Sequence, residues 1–268
     1  MKPGTPRNQP RGLPMHDFMG VLVEKAGYDN GWEYVFERAP DRLILGSARH
    51  SARVIITPGA HDPSWILDFS KGISIAELQL SLPVILLSDN RLEAWSLDLL
   101  ATILHRAYDL AIAIPENPLT IYETSVSAAL DDDPTIRGTE REALVRQRIG
   151  QDLYRTRLMR YWDGCCAITG CDIPEVLRAS HAKPWVECTS DTERLDVYNG
   201  FLLRADYDAL FDSGLISFSA SGDLLCSPRL SSYQQRELGF DQPRSLRKVA
   251  PNHELYLAWH REKFGFTM

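Results

Sequence analysis

The sequence has no run of about 18 apolar residues, so no segment reads as a helix that crosses a bilayer. Its polar, proline-rich opening, MKPGTPRNQPRGLPM, has no apolar stretch of the kind a signal peptide needs. Cysteine is scarce: there are five, an odd number, and none precedes Cys165. That disfavours a disulfide-built secreted domain and makes a reducing cytoplasm the expected location. Positive charge is not in excess, because the formal net charge is −7, which argues against a protein that coats nucleic acid. No internal repeat is visible. What remains is a chain of 268 residues, 44% apolar and 24% charged, which is ordinary for a globular protein and long enough for two modest domains. The acidity is uneven. The first 138 residues carry 12 Lys and Arg against 18 Asp and Glu, and the remainder carries 17 against 18.

Residues 1–15 read as a disordered lead-in, and residues 16–125 as a mixed α/β domain. Short strands are expected at Glu33 to Phe36, Arg42 to Leu45, Arg53 to Thr57 and Ser64 to Phe69, from their β-branched and aromatic content and the turn residues between them. Ile75 to Leu82 reads as a short helix. Pro83 to Leu87 is apolar on both faces, as a central strand would be. Ser88-Asp89-Asn90 offers capping chemistry ahead of a helix expected over Leu92 to Ala113, where Leu97, Leu100, Ile103, Leu104 and Ala107 follow helical spacing. A polar break containing Asp131-Asp132-Asp133-Pro134 places a linker at 126–138. Thr139 with Glu142 has the capping-box pattern and opens a helix to about Trp162; Gly150 inside it leaves open a kink or two helices.

The informative stretch runs from Cys165 to Asp212. Leu177 to Ala182 reads as a short strand that delivers His181 near its end, and Asn199-Gly200 is a tight-turn dipeptide. Phe201 to Leu203 reads as a strand, Ala205 to Phe211 as a helix, and Leu215 to Phe218 with Asp223 to Cys226 as a second hairpin around Ser221-Gly222. Within this order lie Cys166-Ala167-Ile168-Thr169-Gly170, Ser180-His181-Ala182-Lys183-Pro184-Trp185, Asn199-Gly200 with Leu202-Leu203, and Leu210-Phe211-Asp212. The set resembles the HNH endonucleases, the ββα-metal finger nucleases, over about 130 residues. The resemblance implies an α+β fold: a C-terminal HNH nuclease domain at 139–268 behind the smaller mixed α/β domain.

It also implies metal-dependent hydrolysis of DNA phosphodiester bonds, leaving 5′-phosphate and 3′-hydroxyl ends. A neutral imidazole suits water activation because its pKa lies near physiological pH, and a divalent ion suits charge neutralisation. His181 is therefore the expected general base and, with a carboxylate, one of the residues expected at the metal. Asn199 is the residue expected to fix the imidazole or its loop. The family's third position, usually a His, falls on Asp206 or Asp208, and hard carboxylates favour Mg²⁺ or Mn²⁺. Ser180 stands where many family members carry an acid, and Asp212 reads as a brace for the turn at Ser213-Gly214. Lys183 and Arg204 beside the motif, and Arg148 and Arg155 on the preceding helix, are the expected DNA contacts. The cysteines offer no second matched pair for a structural zinc, and His253 and His260 are expected to pack the domain.

DNA is thus the expected partner, with no membrane association. Cutting two strands commonly needs two active sites, which makes a homodimer an expectation. A prokaryotic restriction or defence role fits the two-part arrangement. The rival readings are a DNA-binding module whose site has decayed and a nuclease toxin.

Overall fold

The computed structural model describes residues 17–266 apart from 71, 83, 88, 133–137 and 139. The lead-in, Thr139, Pro83, Ser88 and part of the expected linker lie outside the described residues. The chain divides into two compact units, Met1–Ala111 and Ile112–Met268. Among the described residues no helix is long and apolar enough to cross a membrane.

The first unit opens with α1 (Asp17–Asp29), followed by β1 (Tyr34–Ala39), β2 (Arg42–Gly46), β3 (Arg53–Pro58) and β4 (Trp65–Phe69). After α2 (Ile75–Ser81) come β5 (Ile85–Leu86), β6 (Leu92–Ala94) and α3 (Leu97–Ala113). The strands form one sheet in the order β1-β2-β3-β4-β6-β5, and every pairing is antiparallel. Alternation drives it: Leu43, Leu45, Val54, Ile56 and Leu67 are buried at every second position. On α3, Leu100, Ile103, Leu104 and Ala107 are buried at helical spacing. The buried Trp32 ties to this helix by donating from its indole Nε1 to the Leu104 carbonyl at 2.9 Å.

Two expectations fail in this unit. The apolar run after α2 supplies only the two-residue β5, and it sits at the sheet's edge, not its centre. The segment from Leu92 is not helical, because Leu92 and Ala94 obey the two-residue period, both buried, and pair as β6 between β4 and β5. The helix starts at Leu97, where the Ser96 hydroxyl accepts the Leu99 amide at 3.1 Å.

The second unit begins with α4 (Pro118–Asp131) and α5 (Glu140–Tyr161). Then follow β7 (Leu177–His181), α6 (Asp191–Leu195), β8 (Gly200–Arg204), α7 (Ala205–Asp212), β9 (Ile216–Phe218), β10 (Leu224–Cys226), α8 (Ser232–Glu237) and α9 (Glu254–Phe264). The strands make two antiparallel hairpins, β7 with β8 and β9 with β10, with α7 between them in sequence. The hairpin–helix–hairpin order is the one read from the sequence. The region expected to be a linker from 126 is instead the second half of α4. Tyr122, Val126 and Leu130 recur every four residues and are buried with Leu195 of α6, while Val145, Ile149 and Leu153 of α5 and Trp185 pack against them.

Gly150 does not split α5, which is continuous over 22 residues. Its absent side chain makes room for Trp185: a Cβ there would fall on the indole ring closer than real Cβ atoms come. Alanine normally stabilises a helix interior by about 1 kcal/mol over glycine. Overpacking costs about 1–3 kcal/mol. Gly150→Ala is therefore expected to lower the melting temperature by about 2–6 °C. Thermal unfolding checks this, and the loss is expected to disappear when Trp185 is Leu in both proteins compared.

Candidate active site

The site is built at the end of the β7–β8 hairpin that the 182–199 connection closes, where His181 lies opposite Gly200 and Ser180 opposite Phe201. Successive strand residues face opposite sides. Ser180 faces α7, and its hydroxyl lies 3.4 Å from Asp212 Oδ1. His181 faces α5, where its ring stacks on Tyr154 with centroids 3.8 Å apart and planes 18° from parallel. Trp185 meets the same imidazole edge-on at 6.0 Å. The Tyr154 hydroxyl donates to the Asn199 carbonyl at 3.1 Å, with the Ser180 carbonyl at 3.4 Å. Strand, turn and helix therefore cross at one point. Gly200 has an extended backbone that any residue could adopt, but a Cβ would collide with both the Tyr154 hydroxyl and the Ser180 carbonyl.

His181 Nε2 lies 3.0 Å from the Arg194 carbonyl oxygen. A carbonyl only accepts, so Nε2 carries the proton and Nδ1 keeps its lone pair. Burial pushes the imidazole pKa down to about 4, against the opposing pull of that carbonyl. The ring is neutral at physiological pH, as a base must be before it takes a proton.

Asn199 does not touch the imidazole. Its fully buried carboxamide accepts the Lys183 amide at 2.8 Å and donates to the Lys183 and Glu193 carbonyls at 3.1 and 3.0 Å. It clasps the loop that follows His181, one of the two roles expected of it. Asp196 sets up that clasp: its carboxylate accepts the Tyr198 amide at 3.0 Å and the Tyr256 hydroxyl at 2.8 Å, which caps the short turn ending at Asn199.

The two aspartates left open by the sequence part company. Asp206 is solvent-exposed and held by Arg204 through Nε and Nη2, at 2.7 and 2.5 Å, which lowers its pKa. It is therefore not placed as a ligand, contrary to expectation. Asp208 is half-buried on the Ser180 side, where burial raises its pKa against a hydrogen bond from Ser180. Asp212, four residues later on α7, is exposed, yet partial desolvation of its carboxyl and the nearby Asp208 charge push it up to about 6. Ser180 thus stands between two carboxylates that repel each other. Asp212 belongs to this cluster and is not merely a brace for the following turn. Among the described residues no three His, Cys, Asp or Glu side chains converge as a metal cluster, and none of these carboxylates bonds to His181.

Residues 166–219 match the family model of the HNH endonucleases, HNH_2. The chain carries an HNH domain. No curated protein matches the chain. The matched segment contains β7, β8, α7 and β9. It therefore holds His181, Asn199, Asp208 and Asp212, while Tyr154 comes from α5, ahead of the HNH segment.

Most of the basic residues expected to touch DNA are engaged within the protein. Lys183 is largely buried and grips both oxygens of Glu193 at 3.0 and 2.9 Å. Arg204 holds Asp206 and lies over the Tyr207 ring. Arg155 donates to the Leu177 carbonyl at 3.1 Å and lies 3.5 Å from the Pro174 carbonyl. Arg148 is exposed on α5. Cys166 is buried, with its sulfur 3.5 and 3.4 Å from the Thr169 and Arg204 amides. His253 and His260 are buried packing residues, as expected; His260 stacks on Phe211 at 3.9 Å.

Sequence reasoning missed Tyr154, the Arg194 carbonyl and the pairing of Asp208 with Asp212. Only the last had a signal, because carboxylates four apart on a helix share a face.

The raised Asp212 pKa fixes the sign of a stability change. Its folded pKa exceeds the unfolded value of 3.8, so ionisation costs the fold stability above pH 6, and protonation returns it as pH falls from 6 through 3.8. Its exposure limits the effect to under about 1 kcal/mol. Without divalent ions, Asp212→Asn should melt 1–3 °C higher than the parent at pH 8 and equally at pH 4, by differential scanning calorimetry.

Proposed function

We propose that the HNH domain is a DNA endonuclease in which His181 activates water and Asp208 and Asp212, with the Ser180 hydroxyl, hold one divalent ion, Mg²⁺ or Mn²⁺. The observation that carries this is the His181–Arg194 carbonyl bond, which leaves Nδ1 as an unprotonated acceptor at neutral pH. The donor set fits a hard cation: all three groups offer oxygen, and burial together with the neighbouring Asp208 charge lifts the Asp212 pKa to about 6. Ions of this kind commonly bind through one or two carboxylates and fill their remaining positions with water and substrate phosphate. When bound, the ion supplies Lewis-acid neutralisation of the scissile phosphate and of the departing oxygen.

The protein's own groups account for the rest. His181 Nδ1 takes a proton from water as the water oxygen bonds to phosphorus. The bond to the 3′ oxygen breaks, and that oxygen takes up a proton from solvent water, leaving a 5′-phosphate and a 3′-hydroxyl. Tyr154 and Arg194 keep the imidazole from rotating, and Asn199 keeps its loop closed. A phosphate lying across the end of β7 would be met by the base from the α5 side and by the carboxylates from the α7 side.

A restriction or defence setting in the cytoplasm is supported by the division into two compact units, one free to recognise and the other to cut. With one such site per chain, cutting both strands calls for two chains. The competing reading, a binding module without chemistry, draws on the missing third acidic ligand.

His181→Ala should reduce cleavage of plasmid DNA in Mn²⁺ at least about 100-fold, the scale of a positioned base, with DNA affinity retained. Undiminished cutting would sink the assignment. Protons compete with the ion at Asp212, so the acid limb of the rate profile should start near pH 6 in scarce Mn²⁺ and move to lower pH as Mn²⁺ rises. A limb that ignores Mn²⁺ concentration would remove Asp212 from the ion's ligands.

A further inference from the structure

β7 pairs only with β8 among the described residues, so its other edge is open. At the start of that edge two guanidinium groups converge on one oxygen. Arg155 Nη1, from α5, donates to the Leu177 carbonyl at 3.1 Å, and Arg178 Nη1, from β7 itself, donates to the same carbonyl at 3.0 Å. Arg178 Nη1 also reaches the Glu175 carbonyl at 2.9 Å, and Arg155 Nη2 lies 3.5 Å from the Pro174 carbonyl. Both side chains are thus anchored by backbone acceptors. Neither forms an ion pair with a carboxylate among the described residues, unlike Lys183, Arg204 and Arg194, which do. Like charges held together in this way repel, and a neutral carbonyl shared between them does not cancel that cost.

We propose that Arg155 and Arg178 form a clamp for a phosphodiester of the bound nucleic acid strand, at the opposite end of β7 from His181. The inference rests on the nuclease reading for its partner but not for its geometry. Guanidinium donors suit the tetrahedral, doubly accepting phosphate, and Arg178 Nε and Nη2 remain outside the anchoring bonds. Arg178 is exposed, and Arg155 is half-buried against α5. Alternation puts Arg178 on the Ser180 side of the strand, and its charge already pulls on Asp208. Four residue steps along β7 take the chain from Leu177 to His181, about 13 Å. At about 3.4 Å of rise per nucleotide, the clamp holds the backbone about four nucleotides from the phosphate at His181. A strand pinned at that distance is fixed in register before cutting.

The test measures the affinity of the full chain for a labelled 30-base-pair duplex across a range of salt concentrations, in a His181→Ala background that keeps the DNA intact. Each lost phosphate contact should reduce the slope of log K against log salt by about 0.9. Arg178→Gln and Arg155→Gln should each show that reduction with a several-fold loss of affinity, and Arg178→Lys should retain most of the slope. Calorimetric melting checks that the variants fold; if Arg155→Gln melts low, Arg178→Gln decides alone, since its side chain stands at the surface. An unchanged slope in Arg178→Gln, or no duplex binding at any salt, overturns the clamp. A rise in melting temperature with inorganic phosphate that vanishes in Arg178→Gln, without any slope change on DNA, would make it a site for the free anion and also overturn the proposal. Wild-type cleavage is measured in parallel. Failure to cut with the slope effect intact removes the nuclease reading and leaves the clamp.

Discussion

The second unit is organised around one buried carboxamide. Asn199 satisfies its hydrogen-bonding groups on the backbone of Lys183 and Glu193, so the segment between β7 and β8 closes on itself instead of on solvent. The Arg194 carbonyl that dictates the His181 tautomer belongs to the same closed segment. Loosening the carboxamide would release that oxygen, and with it the reason Nδ1 is unprotonated. The acid–base state of the imidazole is therefore a property of loop packing as much as of the histidine.

Much of this was legible in the chain. Alternation in β2 through β4, the helical spacing in α3 and the Ser221-Gly222 turn place their elements directly. The ordered set from Cys166 to Asp212 located the HNH segment and singled out His181 and Asn199. The failures have physical causes. Leu92 and Ala94 sit next to a strongly helical stretch, and two alternating residues cannot outweigh that local pattern until β4 and β5 are present to pair with them. Pro118 and the acidic run at 131–133 look like a break, but proline at the first turn of a helix is favourable, and Tyr122, Val126 and Leu130 bury the α4 face. Asp206 and Asp208 look alike in sequence, but two residues apart on α7 they point to different faces, so Asp206 meets Arg204 while Asp208 meets Ser180.

Charge tells a similar story. Most of the ionisable side chains first picked from the pattern are engaged by a neighbour: Lys183 with Glu193, Arg204 with Asp206, Asp208 with Ser180, Arg155 with carbonyl oxygens and His181 with Arg194. Composition cannot distinguish a guanidinium aimed at solvent from one anchored by its neighbours in the fold. The backbone bonds that hold a side chain matter more to its purpose than its sign.

Gly200 carries a consequence for how such a domain ages. Its hydrogen is wedged between a tyrosine oxygen and a backbone oxygen, and no other natural side chain fits that gap. Selection for folding guards this position whether or not the domain still hydrolyses anything. A descendant that lost Asp208 and Asp212 to drift would keep its glycine, so persistence of the turn records ancestry of the scaffold and is silent about whether the chemistry survives.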